Sequence, residues 1–289
     1  ITERQHNVGN HIIKDIVQRC KGSLIIRFLC WPYMTVKKYI QKNMYARSEE
    51  PSKIERFKDV HKGKRCFIIG NGPSLIVEDL EAIQNEITIG SNRIYKIFDK
   101  TKWRPTYYMA EDPDGIAEMM PHIKGSGVGT CILSTAAKKY VDYLDGNIVF
   151  GYWTSNRFVV NRYNDCSSHI SEDVSKYFST GYTVTFSAIQ LAIYMGIKEI
   201  YLLGVDFNYS VVADKKGRMM RLDGVRTYFD GKERNGSYLN YYSTLYAYEH
   251  AREYCDSHDI RIYNSTRGGK LEVFERIDFD ALIGRIALE

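Results

Sequence analysis

The chain lacks most of the signatures that would name a function at once. No stretch approaches the roughly 18 consecutive apolar residues of a membrane-spanning helix. No secretory leader is visible at the start, and the chain opens at Ile1 rather than Met, so a preceding segment is expected. The P-loop pattern GK[ST] is missing, as are GxGxxG and GxSxG. Those absences count against a Walker nucleotidase, a standard dinucleotide enzyme and a hydrolase with a nucleophile elbow. The six cysteines (Cys20, Cys30, Cys66, Cys131, Cys166 and Cys255) form no CxxC pair and no zinc-type spacing with histidine. They read as reduced thiols of a cytoplasmic protein.

Charge is unevenly placed. The net charge is +5, yet residues 1–65 carry 15 Lys/Arg against 6 Asp/Glu, leaving 25 against 29 in the remainder. The basicity belongs to an N-terminal extension, which argues against a nucleic-acid-binding core. Residues 10–47 predict two amphipathic helices. Ile12, Ile13, Ile16, Val17, Leu24, Ile25, Phe28 and Leu29 mark the first, which should end or kink at Trp31-Pro32. Val36, Tyr39, Ile40 and Met44 mark the second, among Lys37, Lys38 and Lys42. Such segments suit contact with an anionic membrane surface, or packing on the core or on a partner subunit. Residues 49–52 read as the linker from this extension (1–60) into a catalytic domain (61–289).

The core starts at Arg65-Cys66-Phe67-Ile68-Ile69, an apolar strand that breaks into Gly70-Asn71-Gly72-Pro73-Ser74. The two glycines allow a backbone that lets N–H groups approach an anion, and Ser74 is a suitable N-cap for a helix carrying Glu78, Asp79 and Glu81. Any first strand-to-helix turn of an α/β fold would also look like this. Further strands are predicted at 86–92, 105–110, 130–133, 147–150, 198–207 and 260–263. Helices are predicted at 136–144, 183–195 and 243–257, residues 151–176 form an irregular excursion with short helices, and 208–240 is a long segment rich in Gly, Arg and Tyr. Strands alternating with helices predict a mostly parallel, Rossmann-like α/β sheet. Ligands bind such sheets beyond the strand C-termini. The ends here carry Asn71, Gly72 and Ser74; Ser91 and Asn92; Glu111, Asp112 and Asp114; Asp206 and Asn208; and Asn264 to Thr266. Asp112-Pro113-Asp114 has the DxD spacing that holds a divalent ion against a diphosphate, and is equally a common turn. Among the histidines, His250 and His258 read as structural and His169 as the one suited to an active site.

IIGNGPSL at 68–75 and AIYMGIKEIYLLGVDFNY at 192–209 resemble the bacterial sialyltransferases of cell-surface glycans. STGYTVT before the AIQLAIYMG helix, and RIYNSTRGGKLEVF at 261–274, resemble more closely a broader family. It holds archaeal hydroxymethylpterin diphosphokinases and accessory proteins of flagellin glycosylation. The resemblance covers about 66–280. It implies a single nucleotide-binding domain, a sialyltransferase-like variant of the GT-A class, with 208–240 as a lid. The implied activity is transfer from a nucleotide-activated sugar, CMP-linked first of all, to a glycan acceptor. No cofactor is required, Mg²⁺ is an option, and the chain is expected to be a homo-oligomer in the cytoplasm, at the inner face of the membrane if residues 10–47 touch it. The alternatives are pyrophosphoryl transfer from ATP, with Mg²⁺, and a non-catalytic part of a glycan-assembly system. By position, Gly70, Asn71, Gly72, Ser74, Asn92, Thr183, Thr185 and Asp206 would bind the donor. Tyr238 would hold its phosphate, and Tyr241 stands where those enzymes carry a histidine base. A phenol of ordinary pKa is a poor base at neutral pH, which turns attention to Asp112, His169 or Asp206.

Overall fold

The computed structural model describes residues 24–141, 147–154, 163–232 and 238–286. The stripe at Ile12 to Val17 lies outside them, as do 155–162 of the excursion and 233–237 of the expected lid. The described chain begins with helices α1 (Leu24–Ala46) and α2 (Glu50–Glu55) and strand β1 (Arg65–Ile69). Helix α3 (Val77–Ala82), β2 (Thr88–Ser91), β3 (Tyr107–Ala110), α4 (Pro113–Ile123), β4 (Thr130–Ser134) and β5 (Ile148–Gly151) follow. Short strands β6 (Trp153–Thr154) and β7 (Phe178–Ser179) precede α5 (Val184–Tyr194) and β8 (Glu199–Leu203). The C-terminal part holds β9 (Val211–Ala213), β10 (Met219–Arg221), β11 (Leu239–Asn240), α6 (Tyr241–Ser257), β12 (Arg261–Asn264), β13 (Glu275–Arg276) and α7 (Phe279–Ile286).

Eight strands form one sheet in the order β13-β12-β8-β1-β2-β3-β4-β5, and every pairing within it is parallel. Parallel strands covered on both faces need apolar side chains on both, and RCFII and EIYLL supply them. Cys66 and Ile68 face α5 and α6 with Ile189, Ala192, Tyr248 and Ala251. Phe67 and Ile69 face the other layer, with Leu80 of α3, Ile116 and Met120 of α4, and Phe279 of α7. From β1 the chain winds through β2 to β5 on one side, then returns through β8, β12 and β13 on the other. The order therefore reverses between β1 and β8, where doubly wound sheets open a ligand crevice.

Several expectations are corrected. Helix α1 passes through Pro32 without ending; a proline removes only its own N–H, and apolar residues continue on both sides. The supposed linker at 49–52 enters α2. Glu50 is buried there, its Oε1 3.0 Å from Lys138 Nζ and its Oε2 accepting the Phe150 N–H at 3.0 Å. A carboxylate thus caps an N–H on edge strand β5, which would otherwise be left open. Residues 135–140 form a 3-10 turn rather than an α-helix, and 142–144 lie outside the described residues. Described residues 163–177 hold turns but no helix. In place of short helices, the buried Gln190 side chain organises this part. It accepts N–H bonds from Ser171 and Ser179 and donates to the Ser179 and Phe186 carbonyls.

Replacing Glu50 with alanine is expected to destabilise the fold by about 2–3 kcal/mol, because the Phe150 N–H loses its acceptor inside the protein. Glu50→Gln, which keeps an acceptor, recovers part of that loss. Urea unfolding of both variants measures it.

Candidate functional site

The turn after β1 is held tightly to the turn after β8. The Gly70 N–H donates to the Leu203 carbonyl at 2.8 Å and the Gly72 N–H to the Gly204 carbonyl at 2.9 Å. These donors are therefore consumed by the fold and not offered to an anion. Ser74 is not a helix cap either, since Ile76 holds that position and α3 starts at Val77. Its hydroxyl donates to Asp206 Oδ2 at 2.7 Å and its N–H to Oδ1 at 3.2 Å. Asp206 is the clamp between the two turns.

Beyond these turns lies a cavity of about 90 Å³. Gly70, Asn71 and Gly72 line one side, Ser91 and Asn92 the next, and Gly204 to Tyr209 another. Thr183, Val184 and Thr185 bring the N-terminal end of α5, and Thr244 and Tyr248 reach in from α6. The Thr183 side chain accepts from the Thr185 N–H at 3.3 Å, so the end is capped and its positive pole faces the cavity. That helix end, not the glycine turn, is the anion-attracting element. Two lining residues, Asn92 (φ 47°) and Phe207 (φ 54°), have left-handed backbones, a conformation that side chains disfavour and that concentrates at functional sites.

Hydrogen-bonding capacity is left over here. Among the described residues, Asn71 Oδ1, Asn208 Oδ1 and Thr244 Oγ1 are buried without a partner, and all three residues line this cavity. Native interiors rarely leave such groups unpaired. The Asn71 Nδ2 is already used, donating to the Ser91 carbonyl at 3.0 Å, which fixes the amide so that its oxygen is the spare group. Tyr248 is buried and its phenol pKa raised by desolvation, against hydrogen bonds with Thr185 and Thr183.

Residues 227–232 cross over the turn as a strap. The Phe229 N–H donates to the Asn71 carbonyl at 3.0 Å, and Thr227 and Tyr228 line the cavity. Asp230 fastens the strap to the 3-10 turn after β2, at 2.6 Å from Arg93 and 2.9 Å from Lys96. The Arg93 guanidinium also stacks 4.5 Å from the Tyr228 ring centre. The rest of 208–240, expected to be irregular, contains the antiparallel hairpin β9–β10, with β11 beside β9. Under it lies a second cavity of about 240 Å³, sharing Phe207, Asn208, Tyr209 and Leu239 with the first. Its own wall is mostly apolar and aromatic, with Val212, Met220, Leu222, Tyr241 and Tyr242, and with Asp214 and Lys270 as the charged residues.

The fold therefore brings together Gly70, Asn71, Gly72, Asn92, Thr183, Thr185 and Asp206 around one cavity, with Ser74 behind Asp206. It places the others elsewhere. Asp112 caps α4, accepting from the Gly115 N–H at 3.2 Å, and Asp114 is exposed on that helix. Glu111 accepts from the Thr180 hydroxyl. His169 is exposed, with Nδ1 at the Ser167 carbonyl and Nε2 at the Tyr177 hydroxyl. Tyr238 packs beside Tyr163, and Tyr241 lines the second cavity, tilted against Phe207. No group of three His, Cys, Asp or Glu able to hold a metal occurs among the described residues. Sequence reasoning did not point to Thr244, Tyr248 or Tyr228. The first two lie four apart on α6, a spacing that shares a helix face, but nothing in the sequence says which face meets the crevice.

Asp206 gives the cavity a pH signature. Burial pushes its carboxyl above the ordinary range, against the pull of the two Ser74 hydrogen bonds. Between the unfolded pKa of about 4 and the raised native value, the folded state keeps a proton that the unfolded state has released. Stability should therefore fall as pH climbs through that window and then level off. Asp206→Asn should remove this part of the slope, read as the difference between urea midpoints of the two proteins across pH.

A search of the curated proteins found no match. The chain is similar to the Maf glycosyltransferase of Magnetospirillum magneticum AMB-1, at 16% identity and a TM-score of 0.48 over 83% of this chain. The match spans 40% of that longer protein. It is also similar to the sialyltransferase CstII of Campylobacter jejuni, solved with a substrate analogue, cytidine-5'-monophosphate. There the identity is 15% and the TM-score 0.36, over 70% of this chain and 79% of that one. The family model described as 6-hydroxymethylpterin diphosphokinase MptE-like matches residues 38–212, strands β1 to β8 included. The chain is a member of the MptE-like family.

Proposed function

We propose that this protein is a nucleotide-dependent group transferase, and that it transfers a sugar from a nucleotide-activated donor, CMP-linked in the first instance, to a glycan hydroxyl. The observation that carries the reading is the set of orphaned polar atoms, Asn71 Oδ1, Asn208 Oδ1 and Thr244 Oγ1, gathered at the switch point of a doubly wound sheet. They suit the amide and hydroxyl pattern of a nucleoside, while the capped N-terminus of α5 suits its phosphate. At about 90 Å³ the cavity is small for a nucleotide, so entry requires the 227–232 strap to lift. The second cavity adjoins the first through Asn208 and Leu239 and would take the acceptor, its aromatic wall covering the apolar face of a sugar.

In this reading the acceptor oxygen attacks the anomeric carbon, the bond from that carbon to the donor phosphate breaks, and the nucleoside phosphate leaves with the bonding pair. The acceptor proton passes to a base. Asp206 is the one carboxylate on the cavity wall among the described residues, and burial raises its proton affinity. His169 and Asp112 sit on other contacts. A divalent ion fits this wall poorly, because Asp206 is its one carboxylate and no group of three His, Cys, Asp or Glu able to hold a metal occurs among the described residues.

A second reading, diphosphoryl transfer from ATP to a pterin alcohol, rests on the description of the matched family. Thermal shift against CMP, UDP, GDP and ATP, each with and without Mg²⁺, separates the two. Ligand at about a hundred times its Kd should raise the midpoint by about 5 °C or more. Stabilisation by CMP without Mg²⁺ supports the first reading. Stabilisation by ATP and Mg²⁺ alone replaces it with the second, and no response to any nucleotide removes both.

A further inference from the structure

Helix α1 takes no part in the site. Its C-terminal half is fixed to the body by a single face. Tyr45 is buried, stacks at 5.7 Å on Tyr152 and donates to the Ser175 carbonyl at 2.8 Å. One turn pair earlier, the Lys38 carbonyl accepts from the Tyr152 hydroxyl at 3.4 Å. At about 100° per residue, the side away from that anchor carries Tyr33, Val36, Ile40 and Met44, spaced three and four apart, with Tyr39 beside them. These five side chains are between 50% and 69% exposed. A continuous apolar stripe of that kind on an isolated chain marks a surface that something covers.

Its charge says what. The 23 residues of α1 contain no Asp or Glu at all. Exposed Lys37 flanks the stripe, Arg47 continues its line at the first residue past the helix, and Lys42 is exposed on the same segment. The first exposed acid along the chain after α1, Glu49, lies beside Lys53 at 3.6 Å. Apolar residues with interfacial tyrosines, basic neighbours and no acid are the pattern of a helix lying in the plane of an anionic bilayer. The described helices include none long and apolar enough to cross a membrane.

We propose that α1 is a membrane-surface helix, which seats the Tyr33–Met44 stripe in the headgroup layer of an anionic lipid surface and holds the catalytic body against it. This does not depend on which reaction the cavity performs.

The full chain should co-sediment with vesicles of phosphatidylcholine and phosphatidylglycerol, and much less with phosphatidylcholine alone. Binding should weaken as salt rises, since exposed charges are screened over a Debye length. Val36→Asp with Ile40→Asp should lower partitioning by about tenfold or more, and Lys37→Glu with Arg47→Glu should do the same on the anionic vesicles only. Because these side chains are exposed, the thermal midpoint and its nucleotide response should not move. Absence of binding to anionic vesicles, or binding unchanged in both double variants, would overturn the proposal. So would loss of self-association in sedimentation velocity for Val36→Asp/Ile40→Asp with vesicle binding intact, which assigns the stripe to a second copy of the chain. A missing nucleotide response with normal vesicle binding would count against the proposed reaction and leave this surface standing.

Discussion

Gly70→Ala should destabilise the protein by about 3 kcal/mol or more, at or beyond the upper end of ordinary overpacking. An added Cβ at Gly70 would lie 2.2 Å from the Gly204 carbonyl oxygen and 2.7 Å from its carbon. Both are backbone atoms of the neighbouring turn, so no rotamer change relieves the clash. The strands cannot slide apart to make room, because β1 and β8 pair through five consecutive positions at the middle of the sheet. Gly204 in turn packs against Leu75, with the position of a Cβ there 3.1 Å from the Leu75 Cβ. The only outlet is to part the two turns, which breaks the Gly70–Leu203 and Gly72–Gly204 hydrogen bonds and disturbs Asp206. The nucleotide response should disappear with the stability. Gly284 offers the contrast, since it lies in α7 with nothing within 4 Å of an added Cβ. There alanine should be neutral or stabilise by up to about 1 kcal/mol, through helix propensity alone. Urea midpoints of the two variants decide it: equal, small effects would show that the close approach of the turns has no energetic weight.

The same turns show what can be read from sequence. RCFII and EIYLL are legible because a strand buried on both faces must be apolar throughout, and the glycines after them because only glycine permits two backbones to touch. The alternation of such runs with amphipathic helices was enough for a parallel sheet, and strand ends pointed to Asn71, Asn92 and Asp206, which line one cavity together with Thr183, a residue that only the family resemblance singled out. What was not legible depends on distance in the chain. Ser74 could cap the helix that follows or donate to Asp206, 132 residues away, and local propensity favours the cap until β8 is brought beside β1. Glu50 reads as linker polarity until edge strand β5 presents an unpaired N–H to it. Asp230 is one acid in a polar segment until Arg93 and Lys96 fasten it. Asp112 and His169 carry reactive groups, and the contacts they make here are those of a helix cap and an exposed ring beside Tyr177. Chemical type alone does not place a residue in a site.

Asn71→Ala should separate binding from folding. The side chain has two halves with different duties: Nδ2 donates to the Ser91 carbonyl at 3.0 Å, while Oδ1 is buried and unpaired in the cavity wall. Losing the first costs about 1 kcal/mol, the net value of one neutral hydrogen bond. Losing the second removes a desolvated acceptor whose burial is already unfavourable in the empty protein, so the fold gives up nothing there and regains part of that cost. The strap contact from Phe229 goes to the Asn71 main-chain carbonyl and survives the substitution. Stability should therefore change by no more than about 1 kcal/mol. Affinity should change far more, because a ligand donor that the site was shaped to receive is left unpaired in a water-poor cavity. A loss of about 2–3 kcal/mol, or about 30- to 150-fold in Kd, follows. Asn71→Asp should weaken binding further when the ligand carries a phosphate, since it sets a negative charge in the same wall as Asp206. Calorimetric titration of the stabilising nucleotide into both variants, alongside their urea midpoints, reads the two quantities separately. If Kd stayed within twofold of the parent protein, Oδ1 would have no ligand to meet, and the nucleotide would have to lie elsewhere.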